Sequence, residues 1–314
     1  MSSVLFEVEK TGLATSFQDN GRYGYQRFGV VASGAMDPFA FQWANVLVGN
    51  PRQTACMEIC IMGPTLTLQS SFTFAICGAH LSPCLNSEAI SLWRTYKGKK
   101  GDILTFGEQM EGNYAYLAIR GGFDCKMVLG SQSSFSKADL GTVIIKGSKI
   151  QGYPKTLRRN RGLKSSAIPV YKDEVLVRYI SGPHLAYLKE NSTFQFEGQP
   201  YIFRAGDRMG QRFSGENPIV KKNSESLPSN PIPLGGIQIP PDGNPIVLLA
   251  DRQTTGGYPL IGTVISSDLP ILVQLPLNGK VNFKGISIEA AQAAYRNMYH
   301  QFNVNALICN PLPN

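Results

Sequence analysis

The loop at residues 251–259 (DRQTTGGYP) combines an amide, two hydroxyls, a phenol and two glycines directly after an apolar run. Because an amide side chain both donates and accepts hydrogen bonds, such a loop can bind a small planar amide or lactam. A purely structural turn does not need so many donors and acceptors, which favours a functional interpretation. The predicted ligand contacts are Gln253, Thr254, Thr255, Gly256, Gly257 and Tyr258, and Tyr258 is also a candidate catalytic residue.

Residues 237–246 (IQIPPDGNPI), just before this loop, predict a strand, a tight turn and a second strand. Gly243 tolerates a positive φ and Asp242 can accept from nearby backbone amides, so this pair supplies the turn. We include Gln238 and Asp242 among the predicted substrate contacts.

A second polar cluster precedes a predicted helix. The turn at residues 33–36 leads into the helix N-terminus, where free backbone amides and the helix dipole favour an anion such as a carboxylate or phosphate. A plain helix cap explains the same residues equally well. Asp19 is a candidate general base or organiser of a metal-bound phosphate, and Arg22 a candidate for the substrate carboxylate. The predicted contacts in this cluster are Gln18, Asp19, Arg22, Ser33, Gly34 and Asp37.

A third cluster, Arg120-Gly121-Gly122, ends a predicted strand at residues 114–119. Arg120 can bind a carboxylate in a bidentate manner, and Gly121 lets a ligand come close to the backbone. A structural ion pair at a tight turn is the alternative. We assign Arg120 as a candidate catalytic residue and Gly121 as a substrate contact.

Several common catalytic patterns are absent from the sequence. It contains no GxxxxGK[ST], no GxGxxG that opens a βαβ unit, no HExxH and no GxSxG. It has no CxxC, and its three histidines do not fall at zinc spacing, so we expect no metal site. Cys125-Lys126-Met127 lacks the methionine that precedes a biotinylated lysine, so we expect no covalent biotin. The chain therefore has no complete catalytic constellation, which indicates one component of a larger enzyme.

The composition is that of a globular protein. The 314 residues are 43% hydrophobic and carry a net charge of +8 from 30 basic and 22 acidic residues. Basic residues concentrate at 97–100 and 155–164 without interleaved aromatics, so we interpret them as solvated loops and not as a nucleic-acid surface. The N-terminus lacks the pattern of a signal peptide, no run is as long as a membrane span, and the six cysteines suit buried thiols. We expect a cytoplasmic protein.

Short β-type runs separated by turns recur along the chain and predict a mainly β protein with a few short helices. Two of the later runs are residues 193–196 and 271–275. One helix is predicted from Pro38 to Val48, with Asp37 as N-cap and Gly49 at its end. Another is predicted at 288–302, with Ile288, Ala291, Tyr295, Met298 and Phe302 as its buried face. A basic stretch at 155–167 suggests two subdomains, 1–160 and 161–314, the second including the C-terminal helix.

The polar clusters, in this order, resemble the family of 5-oxoprolinase C subunits, which includes the KipI antagonist KipA. The sequence is also similar to the carboxyltransferase part of urea carboxylase and to the allophanate hydrolase subunit 2 family. Two residues depart from the usual pattern: Thr11 stands in place of a proline, and Gln132 in place of an arginine that many relatives carry. The matching stretches are GLATSFQDNGRYGYQRFGVVASGAMDPFAFQWANVLVGN, MEICIMGPTLTL, YAYLAIRGGFDCKMVLGS and GGIQIPPDGNPIVLLADRQTTGGYPLIGTVISSDL.

The resemblance implies two cyclophilin-like β-barrel subdomains with a cleft between them, into which the 253–258 loop and the Arg120 strand end would both face. It also implies a complex of this chain with two partners, a KipI-like B subunit and the 5-oxoprolinase A subunit. The complex would convert 5-oxo-L-proline to L-glutamate with ATP hydrolysis. ATP with Mg would be held by the complex, and the substrate would be a small lactam or amide.

The resemblance leaves two alternative functions open. One is a regulatory protein that antagonises a KipI-like inhibitor of a sensor kinase. The other is the carboxyltransferase component of a urea carboxylase or allophanate hydrolase system.

Overall fold

The polypeptide folds into two units, each with its own β structure, in the computed structural model, which describes residues 1–222 and 227–309. The first unit comprises Met1–Arg22, Ser33–Tyr171 and the C-terminal residues from Phe302, and the second comprises Tyr23–Ala32 and Lys172–Gln301. The first unit extends beyond residue 160 because residues 161–171 remain bonded to it. The Arg161 carbonyl accepts from the Thr95 amide, and the Tyr171 amide donates to the Glu111 carboxylate.

The first unit contains two β-sheets. Its strands are β1 (Ser3–Lys10), β2 (Ala14–Gln18), β3 (Cys56–Cys60), β4 (Thr65–Leu68), β5 (Phe72–His80), β6 (Cys84–Leu85), β7 (Glu88–Ala89), β8 (Thr95–Gly98), β9 (Ile103–Thr105), β10 (Glu111–Ile119) and β11 (Lys149–Gly152). One sheet has the order β11-β1-β4-β9-β6-β7 and the other β2-β3-β10-β5-β8. Apolar side chains from both sheets form one core, in which the rings of Phe6 and Phe72 lie 5.1 Å apart. Burial of this shared core stabilises the unit.

Helix α1 (Pro38–Val48) packs against β5 and β10 of this unit. The Asp37 carboxylate accepts from the Ala40 amide at 3.0 Å, Pro38 occupies the first turn, and Gly49 ends the helix at φ 76°. Asp37 accepts from one of the backbone amides that a helix start leaves unpaired, and Pro38 has no backbone N–H that needs a partner. At the other end, the Gly49 amide donates to the carbonyls of Asn45 and Val46. The predicted helix, with both of its ends, is confirmed.

The second unit is built on a closed barrel. Its strands are β12 (Glu174–Ser181), β13 (Tyr201–Gly206), β14 (Gly210–Ser214), β15 (Asn230–Pro231), β16 (Gly236–Gln238), β17 (Ile246–Leu248), β18 (Thr255–Gly256), β19 (Leu260–Val264) and β20 (Lys280–Gly285). The barrel order is β12-β19-β16-β17-β14-β13-β20, closed by a parallel pairing of β12 with β20, and β15 pairs with β18 outside it. Phe196 stacks on Phe283 at 4.8 Å within an aromatic core. The prediction of a mainly β fold is confirmed.

The two later runs named above, residues 193–196 and 271–275, are not strands as predicted, because both segments are short helices. Residues 193–196 lie in α2 (Ser192–Glu197), and residues 271–275 largely in α3 (Leu269–Val273), which has a proline in its first turn. A short apolar run has the same composition in a buried helix as in a strand, so its pattern does not separate the two. The tertiary position of each segment, packed beside β20 or β12, decides between them.

Helix α4 (Ile288–Cys309) begins where predicted, with the Ser287 hydroxyl accepting from the Ala290 amide, and it continues beyond residue 302. Its predicted buried face is wrong over the first turns. Ile288 is 58% exposed and Tyr295 47% exposed, whereas Phe302 is buried against Trp43. No helix in the described part of the chain has the length and apolar character needed to cross a membrane.

The six cysteines have free thiols. Cys56 and Cys77 are buried in the first unit, and burial raises the pKa of both thiols. They therefore stay protonated at neutral pH and contribute to packing.

Substitution of Asp37 by Ala should destabilise the first unit by about 1–2 kcal/mol, because the helix loses its cap. The Tyr171 hydroxyl, which donates to the second Asp37 oxygen at 3.1 Å, loses its partner as well. Trp43 and Trp93 both lie in this unit, so the urea midpoint followed by tryptophan fluorescence measures the change. Asp37→Asn is the matched control, since it keeps a capping acceptor and should lose less. Equal midpoints for Asp37→Ala and the wild type would contradict the capping role.

Candidate functional site

A cavity of about 400 Å³ lies on the outer face of the barrel in the second unit. Within the barrel strands, Phe213, Val247 and Ile237 are buried and alternate with residues of the opposite face. That opposite face brings Arg212, Ile246 and Gln238 side by side on three neighbouring strands, because strand residues alternate between the two faces of a sheet. The cavity is lined by Ala205, Gly206, Asp207, Met209, Gly210, Arg212, Gln238, Ile246, Leu248, Gln253 and Tyr258.

Gln238 is 2% exposed, and its Nε2 atom has no hydrogen-bond partner among the described residues. A buried amide donor without an acceptor costs free energy, on the order of 1–3 kcal/mol. A ligand carbonyl oxygen or a water molecule at this position would remove that cost. Gln238 is therefore the position in the cavity at which a hydrogen-bond acceptor would stabilise the site.

The loop after β17 brings Gln253 and Tyr258 to the same cavity. Gly256 allows this arrangement, because a Cβ at that position would lie 3.0 Å from Gln238 Nε2 and 3.5 Å from Gln253 Nε2. Three residues that the sequence predicts as ligand contacts thus meet at one site. An apolar floor of Ile246 and Leu248 beneath amide and phenol groups suits a small ligand with both polar and apolar surface.

Two arginines fix the position of this loop. Arg208 binds Asp251 in a bidentate manner, with Nε at 2.8 Å and a terminal nitrogen at 3.1 Å from the carboxylate oxygens. Arg252 is buried and donates to the backbone carbonyls of Ile232 and Leu249. Burial lowers the pKa of Arg252, although carbonyl oxygens surround its guanidinium. Both side chains therefore hold the loop and are not available to a ligand in this arrangement.

The other predicted residues of the second unit shape the loop without lining the cavity. Thr255 and Gly256 form β18, which pairs with β15, and the carbonyl of Thr254 accepts from the Ile232 amide. Gly257 follows in the same loop. Asp242 is exposed and accepts from the Asn244 amide at 3.2 Å in the turn between β16 and β17, as its turn chemistry predicts.

Arg212 was not among the residues predicted from the sequence. It is exposed at the cavity, and its guanidinium makes no hydrogen bond or ion pair within the described residues. Its signal in the sequence is the alternation in Gln211-Arg212-Phe213, which places a cation on the face opposite a core phenylalanine. An outward arginine on a strand is ordinary surface until the neighbouring strands are known, so the pattern alone does not single it out.

In the first unit, Asp19 is the centre of a dense hydrogen-bond network. Its Oδ1 accepts from the hydroxyls of Ser131 and Ser133 at 2.6 Å each and from the Gly21 amide at 2.8 Å. Its Oδ2 accepts from the amide of Gln132 at 2.7 Å. Four donors around one carboxylate bind the 19–21 and 131–133 segments together. This geometry favours a structural role for Asp19.

Arg22 is 1% exposed and donates to the carbonyl oxygens of Val128 and Ser133 and to the Ser33 hydroxyl. Ser33 and Gly34 both have positive φ values, 56° and 96°, and turn the chain toward helix α1. Gln18 is buried and donates to Ser16 and to the Ser134 carbonyl. These groups lie together around the 131–134 loop, and Arg22 already has partners inside the protein.

Asp37 belongs to a buried polar group at the start of α1. Its carboxylate caps the helix and accepts from Tyr171, while its amide donates to Tyr116, which in turn donates to Glu58 at 2.7 Å. Burial, followed by the charge of Glu58, raises the pKa of Tyr116 well above its usual value. Tyr116 is therefore a constant hydrogen-bond donor at physiological pH, and the helix-cap interpretation accounts for Asp37.

Arg120 lies at the other end of α1, where it donates to the Val48 carbonyl at 3.0 Å. A cation at this position interacts favourably with the helix C-terminus. Gly121 has φ 99°, and a Cβ there would clash with the carbonyl oxygen of Tyr153. The close approach that Gly121 permits is thus between two backbone segments of the first unit.

The predicted site residues are divided between the two units. Gln18, Asp19, Arg22, Ser33, Gly34, Asp37, Arg120 and Gly121 belong to the first, and Gln238, Asp242 and residues 253–258 to the second. A shared cleft that unites Arg120 with the 253–258 loop stays a prediction. Within the described residues no three His, Cys, Asp or Glu side chains are grouped so that they can hold a metal ion.

The protein is mostly β, and the second unit carries a cavity of about 400 Å³ lined by polar and apolar side chains. Residues 28–285 match the family described as carboxyltransferase domain, subdomain A and B, and the chain belongs to this family.

Two relatives are named as the C subunit of 5-oxoprolinase. The one from Haemophilus influenzae is 32% identical over 93% of this chain and 95% of its own length. The one from Escherichia coli is 30% identical over 95% of this chain and 96% of its own length. Among solved structures, the urea amidolyase of K. lactis superposes with a TM-score of 0.89 and 26% identity, covering 97% of this chain and 20% of that one.

Substitution of Gly121 by Ala should destabilise the first unit by more than about 2 kcal/mol, because a positive φ and a backbone clash act together. Gly130→Ala is the matched control: its φ is 78°, but no atom lies within 4 Å of the added Cβ, so about 1 kcal/mol is expected. Urea unfolding followed by tryptophan fluorescence measures both. If both variants lose the same free energy of unfolding, the contact with Tyr153 does not constrain residue 121.

Proposed function

We propose that this chain is the C subunit of an ATP-dependent 5-oxoprolinase. It acts with a KipI-like B subunit, together with the A subunit, to convert 5-oxo-L-proline to L-glutamate with hydrolysis of ATP. The observation that carries the proposal is the correspondence over nearly the whole length of both relatives named for this subunit, 95% and 96% of their residues. The region matched in the K. lactis urea amidolyase is a fifth of a much longer chain.

The cavity of the second unit supports this assignment through its chemistry. A cyclic amide offers a carbonyl acceptor, an N–H donor and an apolar ring. Gln238 supplies a donor without a partner among the described residues, Gln253 supplies both a donor and an acceptor, and Ile246 supplies an apolar surface. This chain would therefore bind and orient the lactam for reaction in the assembled enzyme.

Mg-ATP is assigned to no residue of this chain. The sequence lacks a P-loop, and in the described residues no three metal-ligating side chains of the His, Cys, Asp or Glu type are grouped together. The assembled complex would bind the nucleotide. We do not propose that Lys126 carries covalent biotin.

A urea carboxylase system is the second candidate, favoured by the TM-score of 0.89 to the K. lactis urea amidolyase. In that system the chain would act as the carboxyltransferase part and would need a biotinylated carrier domain. Urea has no carboxylate and no apolar ring, so it would leave Arg212 and the floor of the cavity unused.

Reconstitution of the chain with both partner subunits tests the function directly. The complete complex should release glutamate from 5-oxo-L-proline only with ATP, and omission of this chain should abolish release. Gln253→Ala and Tyr258→Phe should each lower kcat/KM by about 10-fold or more, the loss of one hydrogen bond to a ligand. The matched control is Arg159→Ala in an exposed loop of the first unit, and it should retain full activity.

Two results would contradict the proposal. One is ATP-dependent glutamate release that does not need this chain. The other is bicarbonate- and ATP-dependent consumption of urea when the chain is combined with a biotinylated carboxylase partner, which would support the second candidate.

A further inference from the structure

Arg212 differs from Arg178 and Arg208, two other arginines of the second unit, in having no partner for its guanidinium among the described residues. Arg178 is paired with Asp268 at 2.6 Å and Arg208 with Asp251 at 2.8 Å. Arg212, by contrast, makes no side-chain hydrogen bond or ion pair with any residue in the described ranges, yet it lines the same cavity as Gln238. An unpaired guanidinium with its planar array of donors is suited to a carboxylate.

The strand register sets the spacing between the cation and the amide. Arg212 is opposite Ile246 in the β14–β17 pair, and Gln238 is opposite Ile246 in the β16–β17 pair. Two strand spacings separate their Cα atoms by about 10 Å, and both side chains lie on the outer face. The space between their polar ends is therefore bounded below by Ile246, an apolar side chain.

Asp207 is the acidic residue that lines the cavity, and its position is set by the turn between β13 and β14. Its Oδ1 accepts from the amides of Met209 at 2.8 Å and Gly210 at 3.4 Å. The described residues place no ion pair between Asp207 and Arg212, so the guanidinium remains open to a ligand anion.

We propose that Arg212 binds the carboxylate of a small cyclic amide whose carbonyl oxygen accepts from Gln238 Nε2, with the ring over Ile246. This inference rests on the proposed function and identifies the residue that selects for a carboxylate-bearing ligand. It replaces Arg22 and Arg120, which bind backbone carbonyls of the first unit, as the residue for the substrate carboxylate. Urea and lactams without a carboxylate would lack this contact.

The test compares two ligands on the reconstituted complex by calorimetry without ATP. 5-Oxo-L-proline carries both groups, and 2-pyrrolidinone is the same lactam without the carboxylate. Arg212→Ala should weaken binding of 5-oxo-L-proline about 10- to 100-fold, the loss of a charge-assisted pair, and leave 2-pyrrolidinone binding unchanged. The affinity of the Arg212→Lys complex for 5-oxo-L-proline should lie between those of the wild type and Arg212→Ala, because lysine keeps the charge without the planar guanidinium. Gln238→Leu should weaken both ligands.

Arg159→Ala is the charge-matched control and should bind both ligands as the wild type does. An Arg212→Ala complex with unchanged affinity for 5-oxo-L-proline, or with an equal loss for both ligands, would overturn the role of Arg212. Turnover is measured separately on the wild-type complex. If the wild-type complex releases glutamate with ATP and the Arg212→Ala complex keeps its affinity for 5-oxo-L-proline, this inference is wrong and the proposed function stands. If the wild-type complex binds 5-oxo-L-proline but releases no glutamate with ATP, the proposed function is wrong.

Discussion

Closure of the barrel in the second unit is the constraint on which the candidate site depends. Once β12 pairs with β20, every strand in the ring has one face committed to the aromatic core and one face outside. Phe213, Val247 and Ile237 fill the inside, so Arg212, Ile246 and Gln238 must stand together on the outside. A one-residue slip of β14 would exchange Arg212 for Phe213 and destroy the core and the cavity together.

Both units contain a buried amide side chain with one unpaired atom, but the surroundings of the two differ. In the first unit, Gln18 Oε1 has no partner among the described residues, whereas Asp19, Arg22 and Asp37 are bonded to serines, backbone groups and a tyrosine hydroxyl of the same unit. In the second unit, Gln238 Nε2 has no partner among the described residues and lines a cavity. A buried donor without an acceptor costs free energy, which a ligand acceptor or a water molecule in the cavity would recover. The position of Gln238 at the cavity, together with its unpaired donor, is the reason for choosing it as a ligand contact.

Membership of the carboxyltransferase family determines the fold, but it does not by itself determine the ligand. The same arrangement of strands occurs in a relative named urea amidolyase and is expected in the relatives named for 5-oxoprolinase. Since a fold can support several chemistries, the ligand is decided by the groups around the cavity. Under the proposed function, a guanidinium and an amide separated by an apolar strand residue would bind an anionic lactam in preference to urea.

Local signals in the sequence determined helix α1 completely, because Asp37, Pro38 and Gly49 act on backbone groups within one turn of themselves. Sequence also determined the mainly β fold and brought Gln238, Gln253 and Tyr258 together as candidates. Tertiary structure alone decided that Arg212 faces the cavity, that Arg22 is buried, that residues 193–196 are helical and that Ile288 is exposed. Burial and side-chain direction depend on strands distant in sequence, and no local pattern contains that information.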